Sequence, residues 1–289
     1  RERIGAAPPA NLELVCAADP PPGEVDHVAL PLSARGEAEV AREWIQLGHE
    51  RLRVGGILAA STDEPRDKWL DDQMRRVFPA VTRRPDPRGV VYVARKTAPL
   101  KRPIDFARRF AFRDRGRLIE AVSRPSVFAH GRIDPGARSL LEAVEVPAGA
   151  RVLDMGCGSG VLSLAAALRA EGVRVHAVDS NARAVESVEA GARLNGIASI
   201  TAERSASGAP RGIAPGEADL VLANPYYFSD FRIARLFVDA ARAALRPGGR
   251  LALVTKAPEW YVETLPGAGF AAPAVREVKA YAVIEAARR

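Results

Sequence analysis

Two periods of apolar positions run along the chain. From Asp26, DHVALPL has the continuous apolar character of a buried strand, and EAEVAREWIQLGHERLRVGG then carries its apolar residues at helical spacing up to Gly55-Gly56. The glycine pair is expected to stop the helix and turn the chain. ILAAST and GVVYVARK follow as strands. From Arg151 the same plan returns at greater length. RVLDMG, VRVHAVDS, DLVLANP and RLALVTK read as strands, separated by the helical stretches VLSLAAALRA, ARAVESVEAGARLNG and FRIARLFVDAARAALRPGG. KAYAVIEAARR alternates as a last strand. Strands alternating with helices at this spacing predict an α/β fold, a parallel sheet with helices on both faces.

The two halves share a text. LGHERLRVGGILAAST and ARAALRPGGRLALVT both run helix, Gly-Gly, strand, which points to an internal duplication. No glycine-rich loop precedes the elements of the first copy, so it is expected to have the tail of a nucleotide-binding domain without its head, and to bind no cofactor. The reading divides the chain into a degenerate domain over 1–100, a basic connector over 101–123 and a catalytic domain over 124–289.

A length of 289 residues fits two domains, and no apolar run approaches the roughly 18 residues of a membrane span. The Arg-rich start lacks the apolar core of a signal peptide, and the two cysteines lie far apart, so a reducing cytoplasm is the expected setting. The chain does not begin with Met, and an upstream segment is expected. A net charge of +7 and the basic clusters Lys101-Arg102, Arg108-Arg109 and Arg113 to Arg117, interrupted by Phe106, Phe110 and Phe112, fit a nucleic-acid partner or a solvated linker face.

The chemistry concentrates in VLDMGCGSG, Val152 to Gly160. The strand ends at Asp154, and Gly156, Gly158 and Gly160 allow a turn tight enough for backbone to approach a ligand before the next helix, whose N-terminus offers free N–H groups. Asp179 ends the next strand, where a carboxylate can accept both hydroxyls of a ribose. Together they imply an adenosine-containing ligand. Asn224-Pro225-Tyr226-Tyr227 ends the fourth strand.

With these residues in view, the chain resembles the class I S-adenosylmethionine-dependent methyltransferases that carry an Asn-Pro-Pro-aromatic motif. More narrowly, RPSVFAHGRIDPGARSLLEA, through Pro125, Val127, Phe128, Gly131, Asp134 and Gly136, is similar to the signature of two-domain ribosomal RNA guanine-N2 methyltransferases. In that family a first domain of the same fold has lost its cofactor site, so the resemblance spans nearly the whole chain. It implies a Rossmann-like class I methyltransferase domain preceded by a degenerate, truncated duplicate, S-adenosylmethionine as cofactor and no metal. The expected partner is ribosomal RNA or a ribosomal subunit, with no membrane. Phe128, Asp154, Gly156, Cys157, Gly158, Gly160, Asp179, Ser180, Ser205, Ala206 and Asn224 are the implied cofactor residues. Asn224 and Pro225 are implied to accept the two N–H bonds of an exocyclic guanine amino group, with Tyr226 or Tyr227 stacked on the base.

The chain departs from the pattern twice. Tyr226 replaces the second proline, and ITAERSASGA lacks the acidic residue that holds the adenine amino group in many relatives, which leaves the backbone of Ser205 or Ala206 for that role. Cys157 reads as a small filler, His130 as an exposed loop residue, and Trp260 and Tyr261 as either substrate mouth or core. Two other functions fit the same residues: a methyltransferase for protein glutamine or a small molecule, since related motifs act on amides, and a non-catalytic RNA-binding or assembly factor that keeps the fold.

Overall fold

The computed structural model describes residues 9–225 and 230–289. The chain divides into two compact units, Arg1–Phe106 and Ala107–Arg289.

In the first unit, β1 (Val25–Pro31), α1 (Ala38–Arg51), β2 (Leu52–Thr62), α2 (Trp69–Val77), β3 (Val81–Asp86) and β4 (Gly89–Arg95) form a sheet of order β1-β2-β4-β3. β1 and β2 are parallel, and the other pairs are antiparallel. Ile45, Leu58, Leu70, Met74, Phe78 and Tyr92 fill its core.

The second unit opens with a hairpin, β5 (Arg108–Asp114) and β6 (Arg117–Ser123), followed by α3 (Pro135–Ala143), β7 (Arg151–Met155), α4 (Val161–Arg169), β8 (Arg174–Asp179), α5 (Ala182–Leu194), β9 (Ile200–Arg204), β10 (Ala218–Ala223), α6 (Arg232–Ala244), β11 (Leu245–Thr255), α7 (Pro258–Gly267), β12 (Ala274–Val278) and β13 (Tyr281–Ala287). Its seven-stranded sheet has the order β12-β13-β11-β10-β7-β8-β9, parallel from β11 to β9 and closed by antiparallel β13 and β12. The chain order reverses between β7 and β10, and in open α/β sheets the crevice at such a point is where ligands bind, beyond the carboxyl ends of the strands. One apolar core lies on the face covered by α3 and α4, around Leu140, Val152, Leu164 and Leu222. A second lies under α6 and α7, around Leu153, Val221, Val238 and Phe270.

The duplication extends to individual pairings. In the first unit Val25 faces Leu52, then a register shift brings His27 opposite Ile57; 193 positions later Ala218 faces Leu245, and a shift brings Leu220 opposite Arg250. Arg53 Nε meets Asp26 at 2.5 Å, and Arg246 Nε meets Asp219 at 2.7 Å. Arg42 covers the Trp69 ring at 5.7 Å as Arg235 covers Trp260 at 5.9 Å. The first unit therefore matches the part of the second that runs from β10 to β13.

Two expectations are corrected here. The glycine pairs do not stop the helices. α1 ends at Arg51 and α6 at Ala244, where Leu52 and Leu245 turn extended and begin their strands. Gly55 (φ 88°) and Gly248 (φ 77°) sit inside β2 and β11 at the register shift, so they form a bulge. Residues 108–123 are also not connector. Phe110, Phe112 and Asp114 alternate inward from β5 while Arg109, Ala111 and Arg113 point out, the period of a strand with one face on a core. Phe112, Ile119 and Ala121 join the α3–α4 core. The Asn195 side chain ties β6 to the end of α5, accepting from Glu120 N–H at 3.1 Å and donating to Glu120 carbonyl at 2.7 Å.

Among the described residues no helix is long and apolar enough to cross a membrane, and no group of three or more His, Cys, Asp or Glu could hold a metal ion.

Candidate functional site

A cavity of about 410 Å³ opens at the carboxyl ends of β7, β8, β9 and β10. Its floor is the turn after β7. Gly156 has φ 70°, and a Cβ there would stand 3.0 Å from Phe237 Cζ; Gly160, the cap of α4, has φ 81° and Val188 at 3.0 Å from the same imagined atom. Both the left-handed backbone and the close approach call for glycine. Asp179 closes one side. Its Oδ2 accepts from Gly158 N–H at 3.0 Å and its Oδ1 from Asn181 N–H at 2.9 Å, so the carboxylate is held at the rim by the glycine loop and the start of α5.

The loop over the cavity is tied down from α5. Asn181 Nδ2 donates to the Ser126 carbonyl at 2.9 Å and Arg183 Nη1 to the Pro125 carbonyl at 3.0 Å. Val127 is buried with Cys157, Ala184 and Val188, which leaves Phe128, 43% exposed, on the cavity wall. On the far side Ile233, Leu236 and Phe237 of α6 supply an apolar wall.

Of the residues read from sequence as cofactor-binding, Phe128, Gly156, Gly158, Asp179, Ser180, Ser205, Ala206 and Asn224 line this one cavity. Asp154, Cys157 and Gly160 lie behind its wall. Burial raises the Cys157 thiol well above its ordinary value, so it stays protonated and unreactive. Ser205 N–H donates to the Asp179 carbonyl at 2.9 Å, which fixes the end of β9 against β8. Pro225 is buried beside Asn224. Tyr226 and Tyr227 lie outside the described residues.

Asn224 sits at the end of β10. Its Nδ2 donates to Asp134 Oδ2 at 2.8 Å. His130, read from sequence as an exposed loop residue, is half-buried, and Trp260, left as either substrate mouth or core, has a structural contact. The His130 ring meets Ser123 Oγ at 2.9 Å through Nδ1. Trp260 stacks on Phe231 with centroids 4.8 Å apart, and Tyr261 is core. The α6 wall was missed in the sequence, and Asp134 was named there only within the family signature, with no role at the site. The wall had a signal in the helical spacing of Ile233, Leu236 and Phe237; Asp134 had a local one as a helix cap before Pro135.

Asp154 is fully enclosed. Burial lifts its carboxyl to about 7, the hydrogen bond from Ser163 pulls it down, and repulsion from Asp179 adds to the rise. The unfolded chain ionises this group near the usual carboxylate value of about 3.9, whereas the fold keeps it protonated up to about 7. Its contribution to stability is therefore full below about pH 4 and is lost as pH rises to about 7. Asp154→Asn, neutral throughout, is expected to gain in Tm relative to wild type between about pH 5 and about pH 8. A Tm difference constant over that range would show that Asp154 ionises normally in the fold.

The methyltransferase small domain family matches residues 119–285. Ribosomal RNA small subunit methyltransferase C of Chromohalobacter salexigens is 38% identical over 150 residues, covering 48% of this chain and 43% of that protein. The Pseudomonas entomophila protein of the same name is 34% identical over 176 residues, covering 59% and 52%. The chain thus spans about half the length of the curated relatives it matches. Among solved structures, a 16S rRNA N2 methyltransferase of Thermus thermophilus, in complex with AdoMet and guanosine, aligns with a TM-score of 0.78 and 27% identity over 92% of this chain and 74% of that one. The fold is that of a class I methyltransferase preceded by a degenerate copy of itself, and the chain belongs to the methyltransferase small domain family.

Proposed function

We propose that the chain transfers a methyl group from S-adenosylmethionine to the exocyclic N2 of a guanine in ribosomal RNA. The observation that supports this most is the convergence of the glycine loop, Asp179 and Asn224 on one cavity. The relatives' names and the guanosine bound by the Thermus protein agree with it.

The residues fit the cofactor. A carboxylate at the rim after β8 suits a ribose, the glycine loop admits a ligand close to backbone, and the apolar α6 wall suits a flat base. Bound S-adenosylmethionine supplies an electrophilic methyl on a sulfonium. The protein's own task is then alignment and exclusion of water, with no metal and no covalent nucleophile. A guanine amino group is a weak nucleophile because its lone pair is delocalised into the ring. Asn224 Oδ1 and the Pro225 carbonyl accept its N–H bonds, an interaction that strengthens as positive charge builds on nitrogen. Tyr226 or Tyr227 stacks on the base, which reaches the site unpaired or extruded from its helix. In the first unit Pro31 stands where Asn224 stands in the second, and that unit serves the RNA rather than the cofactor. We assign the division of labour to the two compact units, 1–106 and 107–289.

Calorimetry with S-adenosylhomocysteine tests the cofactor half of the proposal. Wild type is expected to bind, and Asp179→Ala to bind about 10- to 100-fold more weakly, the loss of one or two charge-assisted hydrogen bonds. No binding by wild type would favour a non-catalytic role. Transfer of label to a glutamine peptide, with none to RNA, would favour the amide-methylating alternative.

A further inference from the structure

Asp134 is the N-cap of α3, and its Oδ2 accepts from Ala137 N–H at 2.9 Å. The same oxygen accepts from Asn224 Nδ2 at 2.8 Å, across 90 positions of sequence. A carboxylate can only accept, so this contact decides which end of the Asn224 amide is nitrogen and which is oxygen. With Nδ2 committed to Asp134, Oδ1 is the free end, and it is the acceptor that the proposed reaction needs. A flipped amide would present N–H groups to an amino group and repel it.

The neighbouring residue is fitted to this arrangement. A Cβ on Gly136 would lie 2.8 Å from Asp134 Oδ2 and 3.3 Å from Asn224 Oδ1, with Tyr281 Cε1 at 3.2 Å. Any larger side chain there presses on both partners at once. The first unit offers an internal contrast: its equivalent of β10 ends in Pro31, which has no amide to orient.

We propose that Asp134 is a positioning residue for methyl transfer, which locks the Asn224 amide with its oxygen toward the substrate amino group. The inference rests on the proposed function. It goes beyond it by assigning a role to a helix cap.

Two substitutions separate the cap from the lock. Asp134→Ser keeps a good N-cap but is too short to hold Asn224. Asp134→Asn keeps one oxygen able to accept from both donors. The expected result for Asp134→Ser is a kcat at least about 10-fold lower, with the KM for RNA and the Kd for S-adenosylhomocysteine each within about twofold of wild type. Asp134→Asn is expected to recover most of kcat. Gly136→Ala, which alters no hydrogen-bonding group, is expected to lower kcat in the same selective way. Wild-type kcat in Asp134→Ser, or equal losses in Asp134→Ser and Asp134→Asn, would overturn the inference. Failure of the underlying reading has a different signature: wild type itself would bind S-adenosylhomocysteine and transfer no methyl group, and the inference would fall with it.

Discussion

Asn224→Ala is expected to lower kcat by about 10²- to 10³-fold while leaving cofactor affinity within about twofold, the scale seen when one oriented hydrogen-bonding group is removed from a transition state. Asn224 stands at the end of β10 with its nitrogen already committed to Asp134, so the substitution removes a single preset acceptor from the cavity edge. The group it serves is an amino nitrogen whose lone pair is freed as the carbon bond forms. The loss is therefore expected in kcat more than in the KM for RNA. Single-turnover transfer to RNA, alongside calorimetry with S-adenosylhomocysteine, separates the two. Equal rates in wild type and Asn224→Ala would remove Asn224 from the chemistry and leave only the cofactor site standing.

Asp114→Ala is expected to destabilise the second unit by about 3–5 kcal/mol, the range for stripping the partner from a buried charge. Arg169, at the end of α4, donates through Nε and Nη2 to the two oxygens of Asp114, both at 2.8 Å, and through Nη1 to the Val144 carbonyl at 2.7 Å and Nη2 to the Leu141 carbonyl at 2.5 Å. The two side chains are only 2% and 8% exposed. Asp114 thus pins the β5–β6 hairpin to α4 and to the end of α3, and its removal leaves a buried guanidinium with carbonyl dipoles alone. Chemical denaturation followed by near-UV circular dichroism reads the loss. A change below about 1 kcal/mol, the range of exposed pairs, would mean that water reaches the Arg169 head in the native state.

The cofactor loop was legible in the sequence because its requirements are local. Three glycines in five positions, after an apolar run and before a helix, specify one kind of turn, and Asp179 falls at the end of the next strand by simple counting. Asn224-Pro225 was legible for the same reason, at the close of DLVLA. The basic stretch before the second unit was not. Arginines alternating with Phe110 and Phe112 give the same text in a charged linker and in a strand with one buried face, and only the apolar surface of α4 and α5 decides between them. The two Gly-Gly pairs were misread because a helix stop and a bulge ask the same thing of a glycine, a left-handed backbone. The partner strands that make them bulges lie 27 to 30 residues away. Asp134 stood out as part of the family signature and as an acidic residue before Pro135, which identifies a helix cap but gives it no role at the site. Its second bond, to Asn224, depends on α3 packing on β11 and β13, which brings its cap to the end of β10, a long-range fact with no trace in spacing.

The register match between the two units shows what the first has kept of the second. The first unit keeps the bulge, the Arg53–Asp26 pair and the Arg42–Trp69 contact of its counterpart. What differs within the matched elements is the position of Asn224, occupied by Pro31. The scaffold is retained and the reactive group is not, as expected if that unit contributes surface rather than chemistry.

The activity proposed for this chain is methylation of guanine N2 in ribosomal RNA. Its most direct test is to incubate the protein with unmodified small-subunit particles and methyl-labelled S-adenosylmethionine, digest the RNA to nucleosides and identify the labelled one by mass spectrometry. Label is expected in N2-methylguanosine, formed about 10²- to 10³-fold more slowly by Asn224→Ala. Label in any other nucleoside, or none from a protein that binds S-adenosylhomocysteine, would contradict the proposal.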